Sequence, residues 1–179
     1  MKRRTALKVI TAGPTQLAVA QQHHLIPLAP APESHKRQFF TAEQMEMLDQ
    51  LTEMIIPADD HSPGAREAKV GLFIDSIVAY SGEDVQRQWS AGLKLVEAEA
   101  QKLASRPFVK CSTAERDQII AAMAAGEGEP KTELEQFFAR LKLLTLDGYY
   151  TSAIGIHQEL QYKGNAVLSE FPGCSHSDH

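Results

Sequence analysis

The chain is predicted to fold as an all-α protein, a single bundle of about five or six helices, on three observations. Three stretches open with a Ser/Thr and a Gln/Glu three residues later: Thr41 with Gln44, Ser112 with Glu115, and Thr132 with Glu135. This is the capping-box pattern, in which each partner's side chain satisfies the other's free backbone N–H at a helix start. Behind each box the apolar residues recur at three-to-four spacing, the period of one helix face. No period-two run of β-branched residues occurs anywhere, and the Pro/Gly turns separate helical stretches rather than strands.

The first helix begins at Thr41 and places Met45, Leu48, Leu51 and Ile55 on one face, widened by Met47 and Met54. Pro57 ends it, because proline lacks a backbone N–H and disfavours a helical residue before it. A loop, Pro57-Ala58-Asp59-Asp60-His61-Ser62, follows. Ser62 before Pro63 reads as an N-cap with proline at the first helical position. The second helix is therefore expected from Pro63 to near Gly82, with Val70, Phe73, Ile74, Ile77 and Val78 facing the core. A third, from about Asp84 to Leu103, carries Val85, Trp89, Leu93, Val96, Ala100 and Leu103, and Arg106-Pro107 breaks it. The fourth runs from Ser112 through Ile119, Ile120 and Met123 to Ala125-Gly126. The fifth and most apolar follows Thr132 through Phe137, Phe138, Leu141, Leu144 and Leu146 towards Tyr149-Tyr150.

Ahead of this helical domain (39–166) lie an export signal (1–20) and a linker (21–38), and a tail (167–179) follows it. Arg3-Arg4, then Leu7-Lys8, match a twin-arginine export signal. The Ala18-x-Ala20 end resembles a signal-peptidase site. The apolar run between them is broken by Gly13-Pro14 and falls short of the roughly 20 apolar residues that cross a membrane. A periplasmic location, with any membrane association only through partners, is the expectation. Pro27, Pro30 and Pro32 interrupt the linker, the composition of a tether.

The formal charge is −5, and residues 1–20 hold four positive charges and no negative one, so the remainder carries −9. Such an acidic balance argues against nucleic acid or anionic lipid as a partner. Two cysteines, Cys111 and Cys174, are too few for a disulfide scaffold; they could pair, stay free or bridge to another chain.

No dinucleotide fingerprint, Walker loop, nucleophile elbow or H-E-x-x-H motif is present, nor any C-x-x-C for a cluster or c-type haem. No catalytic, cofactor-binding or metal-binding residue is assigned to the chain. Three groups of residues are candidates for function. Asp59-Asp60-His61, with Glu67, could hold a cation, serve a hydrolase or lyase, or cap the next helix and meet a partner. Cys174, His176 and His179 in the tail could ligate zinc or copper, which would make this a small periplasmic metal-binding protein, or Cys174 could form a disulfide. Gly148-Tyr149-Tyr150, with Tyr162 downstream, could pack a helix end or form an interface, since tyrosine buries an apolar body and keeps a polar tip.

Ile55-Ile56-Pro57-Ala58-Asp59-Asp60-His61-Ser62-Pro63-Gly64-Ala65, then Val70-Gly71-Leu72-Phe73-Ile74-Asp75, resembles the gluconate 2-dehydrogenase subunit 3 family. Gly148-Tyr149-Tyr150-Thr151-Ser152 after a long apolar helix fits as well. The resemblance implies a non-catalytic small subunit of a flavin dehydrogenase that oxidises sugars or sugar acids. Its partner would be a large subunit that carries FAD, with a multihaem cytochrome c subunit commonly accepting the electrons. The small subunit would hold no cofactor itself and would assist folding and twin-arginine export of the large one. Under that implication the contact residues are Pro57, Asp59, Asp60, Pro63, Gly64, Tyr149, Tyr150, Tyr162 and Cys174, with Cys174 a candidate bridge to the large subunit.

Overall fold

Apolar stripes at helical spacing bury together as a bundle in the computed structural model, which describes residues 37–165. The export-signal residues Arg3, Arg4, Leu7, Lys8, Ala18 and Ala20, and the tail residues Cys174, His176 and His179, lie outside the described residues. Among the described residues five α-helices form: α1 (Ala42–Ile55), α2 (Val70–Ala79), α3 (Glu83–Ala104), α4 (Thr113–Ala124) and α5 (Glu133–Tyr150). A 3-10 turn, Phe108–Lys110, joins α3 to α4, and a π-helical turn, Gly155–Glu159, follows α5. No strand occurs among the described residues. All three capping boxes form as their sequences require, at the starts of α1, α4 and α5.

Helix α5 is the centre of the bundle and touches each of the other four. It buries Phe137, Phe138, Leu141, Thr145, Gly148 and Tyr149. Phe137 meets Trp89 of α3 edge-on, with ring centroids 5.4 Å apart, and Phe40 packs at a tilt against the same indole at 6.2 Å. Edge-to-face contacts of this kind add about 0.5–1.5 kcal/mol to the burial of each ring. At Gly148 the helix lacks a side chain where α2 crosses it. A Cβ there would sit 2.7 Å from Phe73 and 3.2 Å from Val70, so glycine sets the spacing of α2 and α5.

The chain enters the bundle on a buried carboxylate. Asp75 of α2, 1% exposed, accepts the backbone N–H groups of Gln38, Phe39 (3.0 Å) and Phe40 (2.8 Å). These three donors precede the N-cap Thr41, and one carboxylate satisfies them all. A buried carboxylate needs such partners, because leaving it unpaired costs several kcal/mol.

Helix α2 differs from its sequence expectation. It begins at Val70 rather than Pro63, and Lys69 before it adopts a left-handed conformation (φ 58°). Residues 65–69 fold as successive turns, closed by Ala68 N–H to Gly64 O, Lys69 N–H to Arg66 O and Val70 N–H to Ala65 O. Ser62 does not cap a helix because its hydroxyl is engaged elsewhere, and the Arg66 N–H is taken by Glu53 at 2.8 Å. Ile77, Val85 and Leu103, expected on core faces, are exposed. The neighbouring helices pack over other positions of each helix and leave these three uncovered.

Candidate functional site

The loop after α1 is braced from below by the last turn of that helix. Glu53 accepts the Ala58 N–H at 3.1 Å with one carboxylate oxygen and the Arg66 N–H at 2.8 Å with the other, gripping both flanks of the loop. Gly64 passes directly over this carboxylate. A Cβ there would lie 2.3 Å from a Glu53 oxygen and 2.6 Å from the Ala58 backbone nitrogen, so only glycine fits. Ala65 N–H bonds to Ile56 O at 2.9 Å and zips the base shut.

Inside the loop, Asp59 forms its own turn. Its Oδ1 accepts the backbone N–H groups of Ser62 (2.9 Å) and His61 (2.8 Å), and its N–H returns to Ser62 O at 3.1 Å. The Ser62 and His61 N–H bonds hold the Asp59 carboxyl below the usual carboxylate range, since they favour the charged form. Aspartate is suited to this role because its short side chain reaches N–H groups two and three residues ahead.

The loop is then tied to the far end of the chain. Ser62, almost wholly buried, donates its hydroxyl proton to Glu159 Oε2 at 2.6 Å. The Tyr149 hydroxyl lies 2.7 Å from Ser62 Oγ and donates to Pro63 O at 2.8 Å. Ser62 gives its one proton to Glu159, so the single Tyr149 proton is shared between Pro63 O and Ser62 Oγ. His61 Nε2 completes the tie, 3.1 Å from Glu159 O and 3.9 Å from its carboxylate. Glu159 was not singled out in the sequence. It sits at the end of the π-helical turn, and no spacing rule pairs it with residues nearly a hundred positions earlier.

The structure therefore brings together two regions that the sequence marked separately, the 57–64 loop and the Tyr149 helix end. Their surfaces differ in exposure. Pro57, Asp59 and Asp60 are exposed, Pro63 is half-buried and Gly64 buried. Tyr149 is 1% exposed, its ring in the core and its hydroxyl under the loop. Among the described residues beyond it, Tyr150 (39%), Leu160 (57%) and Tyr162 (50%) are the large apolar side chains left exposed. Tyr150 stacks edge-on against Tyr149, with centroids 5.3 Å apart.

Asp59, His61 and Ser62 are engaged in holding the shape of the loop. Ser62 Oγ contacts a carboxylate and a phenol, and His61 Nε2 faces the Glu159 carbonyl rather than Ser62. Among the described residues no group of three or more His, Cys, Asp and Glu is placed to hold a metal. No helix of the described residues is long and apolar enough to cross a membrane. Cys111 is buried, its thiol directed at Pro107 O at 3.6 Å, and burial pushes its pKa up.

Fold and site define an all-α bundle in which most polar groups of the 57–64 loop brace that loop against the end of α5. The family model of gluconate 2-dehydrogenase subunit 3 matches residues 42–167, well over half of the chain, and the protein belongs to that family. The family is that of an accessory subunit of a gluconate dehydrogenase complex, and membership implies a catalytic partner. No curated protein and no solved structure matches the chain.

Proposed function

We propose that this protein is the non-catalytic small subunit of an exported FAD-dependent dehydrogenase acting on sugars or sugar acids, and that it assists folding and twin-arginine export of the catalytic subunit. One observation carries the contact surface: the 57–64 loop is held in a single shape by Glu53, Asp59, Tyr149 and Glu159, with Tyr150, Leu160 and Tyr162 exposed beyond it. A loop ordered before binding loses little conformational entropy on binding, and exposed aromatic residues supply contact energy.

In this reading FAD resides in the large subunit, and a cytochrome c subunit is a further candidate partner. The twin-arginine route carries folded cargo, so a small chain bearing that signal would take a pre-folded flavin subunit with it. The periplasm is the proposed destination. Cys174, in the tail, is a candidate for a disulfide to the large subunit, testable on non-reducing gels of the complex.

The experiment is a pull-down of the tagged chain from its native envelope with a flavin absorption spectrum of the eluate. A co-purifying large chain with bound flavin supports the proposal. A lone, colourless small chain rejects it, and metal analysis of the Cys174–His179 tail then becomes the next step.

A further inference from the structure

The outer face of α5 carries an apolar seam. Ala139, Leu143, Leu146 and Tyr150 follow one another at intervals of four, three and four residues, the repeat of a coiled-coil stripe. They lie on the side of the helix turned away from the buried Leu141 and Thr145. Ala139 is exposed, Leu143 is 60% and Tyr150 39% exposed, and Leu146 is half-buried. An open depression of about 240 Å3, lined by the first three of these residues with Met123, Pro130 and Phe138, continues the apolar surface. The charges beside the seam divide into committed and free. On one flank Lys142 is paired with Glu127, and Glu135 accepts the Lys131 and Thr132 N–H groups at 2.7 and 3.2 Å. On the other stand Arg140 and Asp147, and among the described residues neither forms an ion pair. Arg140 Nε is buried without a hydrogen-bond partner. Glu133, the remaining α5 charge on that flank, lies in the first turn of the helix.

We propose that this seam pairs with the same seam of a second copy of the chain, the two α5 helices running antiparallel about a two-fold axis. In that register Ala139 faces Tyr150 of the second copy and Leu143 faces its Leu146, so the smallest seam residue meets the largest. Arg140 then meets Asp147 of the second copy, and the two-fold repeats the ion pair at the other end, because antiparallel helices bring one flank against itself. A slip of one heptad sets Arg140 against Arg140 and Glu133 against Asp147. A parallel pair stacks Ala139 on Ala139 and Tyr150 on Tyr150, and draws on Glu135 and Lys142, whose partners are already made. Size and charge thus both select a second copy over an unrelated helix. A seam of four residues with two ion pairs falls short of the roughly 800 Å2 per partner of a standard interface, so the pair is weak and concentration-dependent. Tyr150 also belongs to the surface proposed for the catalytic subunit, so the pair is a state of the chain free of that subunit. The pairing stands independently of the subunit assignment.

The test is analytical sedimentation of the full purified chain over a concentration series. The mass is expected to rise from one chain towards two by about 100 μM. Leu143→Glu should keep its helical circular dichroism and weaken pairing by at least about tenfold, while Leu103→Glu, an exposed leucine on α3, should leave pairing unchanged. Asp147→Arg sets arginine against Arg140 and should weaken pairing as well. Asp147→Arg combined with Arg140→Asp exchanges the two charges and should restore it. A photo-crosslinking residue at Leu143 should capture the peptide that holds Leu146 from a second copy. A chain that stays monomeric at about 100 μM overturns the proposal. So does a dimer that folded Leu143→Glu leaves intact, or a folded charge exchange that fails to recover pairing. A Leu143 crosslink to the chain's own residues 166–179 overturns it too. Flavin co-purification reads the subunit assignment separately, so either can fail while the other stands.

Discussion

The Tyr149 hydroxyl lies 2.7 Å from Ser62 Oγ, joining the end of the central helix to a loop 87 residues earlier. Through this contact the core of the bundle dictates the shape of a surface loop. Tyr149→Phe keeps the ring and removes the hydroxyl, leaving Pro63 O and Ser62 Oγ with one partner fewer each. The expected loss is about 1–3 kcal/mol in urea unfolding. Amides of residues 58–65 should also exchange faster with deuterium, since the loop opens before the bundle does.

Gly64→Ala places a methyl group against the Glu53 carboxylate and the Ala58 backbone nitrogen. The carboxylate can swing away, but the backbone cannot, so the loop must shift. A loss of about 1–3 kcal/mol is expected from overpacking, measured as a lower urea midpoint at unchanged slope. Adding Glu53→Ala should recover little, because the Ala58 collision persists.

Asp75→Asn tests how the chain start is fastened. The amide keeps the shape of the carboxylate but loses its charge, and it has one acceptor oxygen for three donors. A cost of about 2–3 kcal/mol is expected, from the strength of hydrogen bonds to a charged group. Faster exchange at the Phe39 and Phe40 amides is the specific readout.

Acid should weaken the protein from a definable set of carboxylates. Asp59 is held low by the N–H groups of Ser62 and His61, Glu115 by the Ser112 backbone and hydroxyl, and Glu135 by the Lys131 and Thr132 N–H groups. A carboxylate with a depressed folded pKa contributes stability above its unfolded value, near 4, and loses it as pH falls through the folded value. Asp49 runs the other way, because burial raises its pKa. It opposes folding at neutral pH and is relieved as pH falls through the raised value. Urea midpoints between pH 7 and pH 3 should therefore decline chiefly below about pH 4. Asp49→Asn should raise the midpoint at pH 7 and have no such effect at pH 3.

Cys111 should resist modification. A thiol buried in the core with a raised pKa offers little thiolate to an alkylating reagent. In a Cys174→Ala variant, native protein should react with a thiol reagent at least about a hundredfold more slowly than in denaturant, by the thiolate and access argument. Rapid native labelling would contradict the buried placement.

The sequence by itself determined the helices whose starts and faces are written in local pattern. The three capping boxes put α1, α4 and α5 within a residue of their expected starts, because capping acts over three residues and needs no distant partner. The Pro57–Gly64 and Gly148–Tyr149 motifs also singled out both halves of the candidate site. Tertiary structure alone decided the rest. The Ser62-Pro63 cap did not form, since Tyr149 and Glu159 claimed the hydroxyl and Glu53 claimed the Arg66 N–H, so α2 begins at Val70. Asp75, outside the apolar face expected for the second helix, is buried and takes three N–H groups from the chain start. Partners 35 to 97 residues apart leave no periodic trace in a sequence, and their hydrogen bonds outweigh a single cap once the bundle brings them together.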